Sequence, residues 1–166
     1  MAIAIQLLSA LCGSFGFALI FRLRGKSILY ATLGGMLTWG VYLIGASFGE
    51  NLFLWNLVAA AFADFYSEIM ARMCKMPSTS FLAPSIIPLV PGGSLYYTLL
   101  YLIGKEEQKS SEAGVNTLLT AGGIAVGVVL VSVIVRYVSG HVWRKTPGDA
   151  EKNVKKMKIT VDMYVQ

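Results

Sequence analysis

The chain has 166 residues, of which 55% are hydrophobic and only 14% charged, and its mean hydropathy is +0.64. Soluble domains carry about 25% charged residues, and a chain of this length could not hide so much apolar surface, so these values exclude a soluble globular domain. The formal net charge is +5, but six of the 14 Lys and Arg residues follow Gly140. This placement predicts a tail near the lipid surface and does not favour nucleic-acid binding, which needs a basic face on a folded domain.

Five apolar stretches are each long enough to cross a bilayer core of about 30 Å as a helix. In chain order they are residues 3–21, 28–47, 52–70, 81–104 and 115–135. The sequence therefore predicts an all-α polytopic membrane protein with about five transmembrane helices. We divide it into a five-helix membrane domain at residues 1–139 and a basic cytoplasmic tail at residues 140–166. No basic segment precedes the first stretch, so we interpret it as a retained helix and not as a cleaved signal peptide.

The short connections between the stretches predict the orientation. Basic residues lie at 22–26, at 72–75 and in the tail, whereas the connection at Glu50 has none and residues 105–112 have two Lys against three Glu. Because basic loops stay in the cytoplasm, we predict an N-terminus outside and a C-terminus inside the cell membrane.

The third stretch carries two acidic residues, Asp64 and Glu68, one helical turn apart on the same face. An ionisable group inside a membrane is costly and marks a functional site by default. We interpret Asp64 as a proton or substrate site. Glu68 has two interpretations of equal weight: it joins that site, or it pairs with Arg72 near the cytoplasmic interface.

The fourth stretch is predicted to be broken, because Pro84, Pro88 and Pro91 remove backbone donors from it and Gly92 and Gly93 follow at once. Transporters use such breaks near the membrane midplane to bind their ligands through freed backbone groups. A simple proline kink is the alternative. The glycine pair favours a binding loop.

The fifth stretch contains Gly123 and Gly127, whose spacing indicates close helix packing, either within this chain or at a subunit interface. Cys12, Cys74 and the single histidine, His141, form no metal-ligand or disulfide pattern, so no metal and no cofactor are expected.

The segment from Lys75 to Gly93, KMPSTSFLAPSIIPLVPGG, together with Tyr96 and Tyr97, resembles the signature of the threonine/serine exporter family. Over roughly residues 1–145 the chain is similar to the family's small-subunit form, a stand-alone C-terminal membrane half. The resemblance implies export of threonine and serine together with a large-subunit partner that has a cytoplasmic domain and five further helices. Some split relatives are associated with dicarboxylate export, so a succinate exporter subunit is the alternative.

On this reading the prolines and glycines of the fourth stretch shape a passage for a small molecule, the tyrosines line or gate it, and Asp64 contacts the substrate ammonium or carries a coupling proton. The amides of residues 92–94 would then receive a carboxylate. The residues predicted to form the substrate or ion pathway are Asp64, Glu68, Pro88, Pro91, Gly92, Gly93, Ser94, Tyr96 and Tyr97.

Three other classes of function compete with this one. An enzyme would need a nucleophile–base pair or metal ligands, and the sequence has neither an HExxH nor a GxSxG motif. A structural subunit would not need a broken span or a membrane-embedded Asp64. A homo-oligomeric channel could use the same broken segment, and it stays open as an alternative to half of a carrier.

Overall fold

A computed structural model of the chain describes residues 2–142, with side-chain surroundings at 3–138, and every regular element in this part of the chain is helical. Four helices are long and apolar enough to cross a membrane, and one further pair, bent at a short break, completes a fifth candidate span. The predicted all-α polytopic fold with a broken fourth span is confirmed. The elements are α1 (Ala2–Ile20), α2 (Lys26–Ala46), α3 (Leu52–Cys74), α4 (Thr79–Ile86), a 3₁₀ turn (Ile87–Leu89), α5 (Gly92–Ile103) and α6 (Glu107–Val142).

Two helices are longer than predicted. Helix α3 continues through Cys74, past the predicted end of the third stretch at residue 70, and Lys75 caps it with a φ of 54°. Helix α6 already begins at Glu107, so most of the predicted 105–112 loop is helical. An acidic residue in the first turn suits the helix dipole, and the Ser110 hydroxyl donates to the Thr98 carbonyl at 2.9 Å.

Residues up to Ser132 form one compact unit, and the described part of the second unit, from Val133 on, consists of the last turns of α6. At 36 residues, α6 spans about 54 Å, more than a bilayer core. Apart from the end of α6, the predicted basic tail at 140–166 lies outside the described residues, and the boundary at residue 139 stays a prediction.

One core cluster joins the ends of four helices. Its fully or nearly buried members are Ala18, Leu23, Ala31, Ala71 and Phe81. Because Leu23 belongs to the connection after α1 and Ala71 to the last turns of α3, the cluster places both connections at the same end of the bundle. These are the two connections that carry the basic residues.

Glycines let α2 approach its neighbours closely. A Cβ at Gly34 would collide with the ring of Tyr66 and the hydroxyl of Ser85, and one at Gly35 would collide with Ser14. Helices α1, α3 and α4 therefore all pack against the same stretch of α2. Such small-residue contacts replace the hydrophobic effect as a source of helix association in lipid.

Gly123 and Gly127 of α6 lie against α3. A Cβ at Gly123 would come under 3.0 Å from the carbonyl oxygen of Phe53, and one at Gly127 would do the same at Leu57. The closely spaced glycines thus serve packing within the chain at this point.

Candidate functional site

Helix α3 carries a buried polar face. Asn56, Asp64 and Ser67 are at most 2% exposed. The Asn56 amide donates to the Leu52 carbonyl and the Ser67 hydroxyl to the Ala63 carbonyl, each at 2.7 Å. These two side chains are satisfied by their own helix. An ionised carboxylate cannot be satisfied in this way, because it can only accept hydrogen bonds and the helical carbonyls have none to donate.

Asp64 finds its donor on α6. The Ser132 hydroxyl donates to Oδ2 of Asp64 at 2.8 Å. Ser132 is the one polar residue in the run VVLVSVIV at residues 128–135. The hydrogen bond fixes the carboxyl between two packed helices, and the carboxyl can keep it in both protonation states, because either form retains an acceptor oxygen.

Glu68 lies one turn after Asp64, nearer the basic end of the bundle, and is partly buried. The two side chains share the face that the sequence predicted. The broken span meets the same region, since Leu89 of the 3₁₀ turn belongs to a buried cluster with Ala59 and Ala60, one turn before Asp64.

The broken span changes direction over five residues. Pro84 is accommodated inside α4, and Pro88 falls in the 3₁₀ turn. Val90 is extended, with φ −58° and ψ 126°, and Pro91 precedes the first residue of α5. The two halves are bent by 49°. The α4 half and the 3₁₀ turn pack on α1, α2 and α3, whereas α5 has no buried residue.

The start of α5 presents backbone amides. The Gly92 N–H is already used by the Val90 carbonyl, at 2.7 Å. The N–H groups of Gly93 and Ser94 have no acceptor within the helix, because the first turn of any helix lacks one. Gly92 and Gly93 are exposed, and a Cβ at either position would meet nothing within 4 Å.

Tyr96 and Tyr97 lie on the surface of α5 and are 61% and 50% exposed. Their rings meet edge to face at 5.4 Å, Tyr97 stacks on Tyr101 at 5.9 Å, and Lys109 lies 5.6 Å from the Tyr101 ring centre. Amphipathic rings beside a lysine are typical of the membrane–water interface.

A cavity of about 310 Å³ lies between α1, α2 and the 3₁₀ turn. Its lining is mostly apolar, with Trp39 of α2 and Ile87 and Pro88 of the 3₁₀ turn, and its polar residues are Gln6 and Ser9 of α1. The indole N–H of Trp39 is itself buried. The cavity is open on the side of Gln6 and Ser9, which are exposed. On α1 the lining residues run from Ile5, the fourth residue of the helix, to Gly13.

Comparison with known proteins decides the family. A family model described as threonine/serine exporter, ThrE, matches residues 6–134. This range includes α2 to α5, most of α1 and α6 as far as Ile134. The chain belongs to the threonine/serine exporter family. No solved structure gives a significant match to it.

As a member of the exporter family, the chain is a multi-pass membrane transport protein, and the family is one of transporters and not of enzymes. The family match ends at residue 134, so it does not extend to the predicted basic tail.

In this exporter the predicted site residues fall in three places. Asp64 and Glu68 lie on α3, with Asp64 held by α6. Pro88 lines the cavity on α1 and α2. The remaining residues lie at or after the bend, most of them exposed: Pro91, Gly92, Gly93, Ser94, Tyr96 and Tyr97.

Sequence reasoning missed Ser132 and the polar lining of the cavity. Ser132 carries a usable signal, a lone hydroxyl in a run of Val, Leu and Ile. No such signal marks Trp39, Gln6 and Ser9, because single polar residues are common in transmembrane helices. Only the packing of α1 on α2 brings these three residues together.

Proposed function

We propose that this chain is the small membrane subunit of a two-part exporter of threonine and serine in the cytoplasmic membrane. Family membership supports the substrate class. The five candidate spans support the two-part arrangement, because many carriers are built from two repeats of opposite orientation whose broken helices meet near the midplane. A partner with five helices in the opposite orientation would complete that plan.

The observation that carries the proposal is the buried carboxyl of Asp64. It lies in the middle of α3, is 2% exposed and accepts from Ser132. Substrate ammonium could reach it only if α3 and α6 separated, whereas a proton needs no such opening. We therefore assign Asp64 the coupling proton, and Glu68, one turn nearer the basic end, the delivery of that proton.

The broken span supplies the passage in this proposal. Pro88 and Pro91 keep the segment from closing into a straight helix, and the amides of Gly93 and Ser94 offer donors to the substrate carboxylate at the start of α5. Tyr96 and Tyr97 border the passage on its outer side. Because α5 has no buried residue in this chain, the partner subunit would cover it.

The test is efflux of preloaded, labelled threonine and succinate from cells. The cells express this chain alone, this chain with a candidate large subunit, or the pair carrying Asp64→Asn. We expect threonine efflux only from the pair and its loss in Asp64→Asn, since an amide keeps an acceptor for Ser132 but does not titrate. Glu50→Gln, in an exposed connection, is the matched control and should leave efflux unchanged.

Each other outcome has a distinct meaning. Efflux of succinate alone would assign the dicarboxylate class, for which this chain offers few cationic groups in its spans. Efflux from this chain alone, unaffected by Asp64→Asn, would replace the half-carrier by a homo-oligomeric channel.

A further inference from the structure

The connection between α1 and α2 buries one residue and turns its basic side chains outward. Leu23 is buried in the core cluster at this end of the bundle, and Arg22 and Arg24 on either side of it are exposed. Gly25 follows with φ 59° and ψ −133°, a backbone conformation that essentially only glycine adopts, and the exposed Lys26 begins α2. The buried leucine therefore holds the flanking arginines at the surface.

The connection between α3 and α4 is built in the same way. Lys75 is exposed and ends α3 with a φ of 54°, whereas the next residue, Met76, is partly buried against the same core cluster. The Ser27 hydroxyl donates to the sulfur of Met76 at 3.5 Å. Because Ser27 directly follows Lys26 and Met76 directly follows Lys75, this contact brings the two lysine-bearing turns side by side.

Positive charge is in large excess in these two connections. Residues 20–30 and 68–80 contain five basic residues and one acidic residue, Glu68. The five basic residues are all exposed, and we call them the basic patch: Arg22, Arg24, Lys26, Arg72 and Lys75. The connection after α5 differs, since residues 105–112 have two Lys against three Glu and Lys109 forms an ion pair with Glu106.

Exposed apolar side chains adjoin the basic patch. Ile20, Leu29 and Met73 are each more than half exposed, and each lies within three residues of a patch member. A binding surface for an acidic soluble protein has a polar rim. Cations next to exposed apolar side chains match a phospholipid instead, because its acyl chains can cover the apolar groups while its phosphate meets the cations.

We propose that the basic patch binds the headgroup of an anionic phospholipid in the leaflet at this end of the bundle. The phosphate accepts charge-assisted hydrogen bonds from both connections, and the acyl chains lie along the exposed apolar residues of α1 to α3. Basic pockets between transmembrane helices bind such headgroups. The proposal does not depend on the exported substrate, so it goes beyond the proposed function.

The test is a titration of the purified full chain in detergent, followed by native mass spectrometry. The two lipids are phosphatidylglycerol and phosphatidylcholine with the same acyl chains. We expect the first phosphatidylglycerol to bind at least about tenfold more tightly than phosphatidylcholine. Arg24→Gln and Lys75→Gln each remove one cation from a different connection, and each should weaken phosphatidylglycerol binding about fivefold and leave phosphatidylcholine binding within about twofold.

Lys105→Gln is the matched control. Lys105 is also an exposed lysine just after a helix, with a φ of 59°, but it belongs to the connection after α5. Its substitution should leave the lipid preference unchanged. Equal losses for Lys75→Gln and Lys105→Gln, or no preference for phosphatidylglycerol in the unsubstituted chain, would overturn the proposal. Arg24→Lys keeps the charge and should keep the preference, which separates loss of charge from loss of folding.

Two further arms distinguish other occupants of the basic patch. Glycerol phosphate carries a comparable charged group without acyl chains, and it should not displace the lipid at equal concentration. Displacement would assign the patch to a free phosphate compound. If the purified subunit pair lacks the preference that the chain alone shows, an acidic face of the partner covers the patch and the lipid assignment is wrong.

Discussion

At the scale of single residues, the hydrogen bond from Ser132 to Asp64 is the polar contact on which the proposed mechanism depends. The two residues are 68 positions apart, and they meet at 2.8 Å. A carboxyl buried in a membrane protein needs such a donor more than a hydroxyl does, because helical carbonyls can accept from a hydroxyl but cannot donate to a carboxylate.

Replacing Ser132 by alanine removes that donor and leaves the carboxyl of Asp64 buried. We expect Ser132→Ala to lower the free energy of unfolding by about 0.5–1.5 kcal/mol, the range for interhelical hydrogen bonds in membranes, and to slow threonine efflux. Thermal unfolding in detergent gives the first value. Ser67→Ala is the matched control, since that hydroxyl is more deeply buried than Ser132 but bonds within its own helix. Equal losses for the two variants would mean that the contact with Asp64 contributes nothing specific.

At the scale of elements, α6 and α5 differ in how well their positions tolerate substitution. Helix α6 approaches α3 through Gly123 and Gly127, where a backbone carbonyl of α3 occupies the space that a side chain would need. Backbone cannot move aside as a flexible side chain can. Helix α5, in contrast, follows the break and has no buried residue, so packing within this chain constrains its sequence little.

Adding a methyl group at Gly123 should therefore force α6 away from α3. We expect Gly123→Ala to lower the free energy of unfolding by about 1–3 kcal/mol, as overpacking does. The matched control is Gly16→Ala in α1, where a Cβ meets nothing within 4 Å and alanine should stabilise the helix by up to about 1 kcal/mol. Both are measured by thermal unfolding in detergent. A Gly123→Ala variant as stable as Gly16→Ala would contradict the close packing.

At the scale of the whole molecule, the predicted orientation of the chain in the membrane rests on charge. The core cluster of Leu23, Ala71 and Phe81 brings the two basic connections, at 22–26 and 72–75, to one end of the bundle. The connection at Glu50 lies at the other end, between α2 and α3. Because basic residues gather at one end, we predict that this end faces the cytoplasm.

Cysteine labelling in intact cells tests this orientation. In a chain with Cys12→Ser and Cys74→Ser, we expect a membrane-impermeant maleimide to label Glu50→Cys from outside. Pro77→Cys, which is also exposed but lies at the basic end, should react only after lysis. The opposite pattern would reverse the predicted orientation.

Much of the fold could be predicted from the sequence, because apolar length and charge placement act locally. The number of spans, the break in the fourth and the helical face of Asp64 follow from composition, from proline chemistry and from the spacing of residues in a helix. Helix ends could not be predicted as well: α3 continues to Cys74 and α6 begins at Glu107, since capping and contacts with other helices decide the last turns.

The candidate site, like the fold, could be predicted only in part from the sequence. The sequence by itself placed Asp64 within a candidate membrane span and predicted that Pro88 and Pro91 interrupt the backbone, because both follow from residue type and position. Only the tertiary structure decided that Ser132 is the donor to Asp64 and that Trp39 meets Gln6 and Ser9 around a cavity. These partners lie on different helices, and their meeting depends on how small residues let those helices pack, which no local pattern encodes.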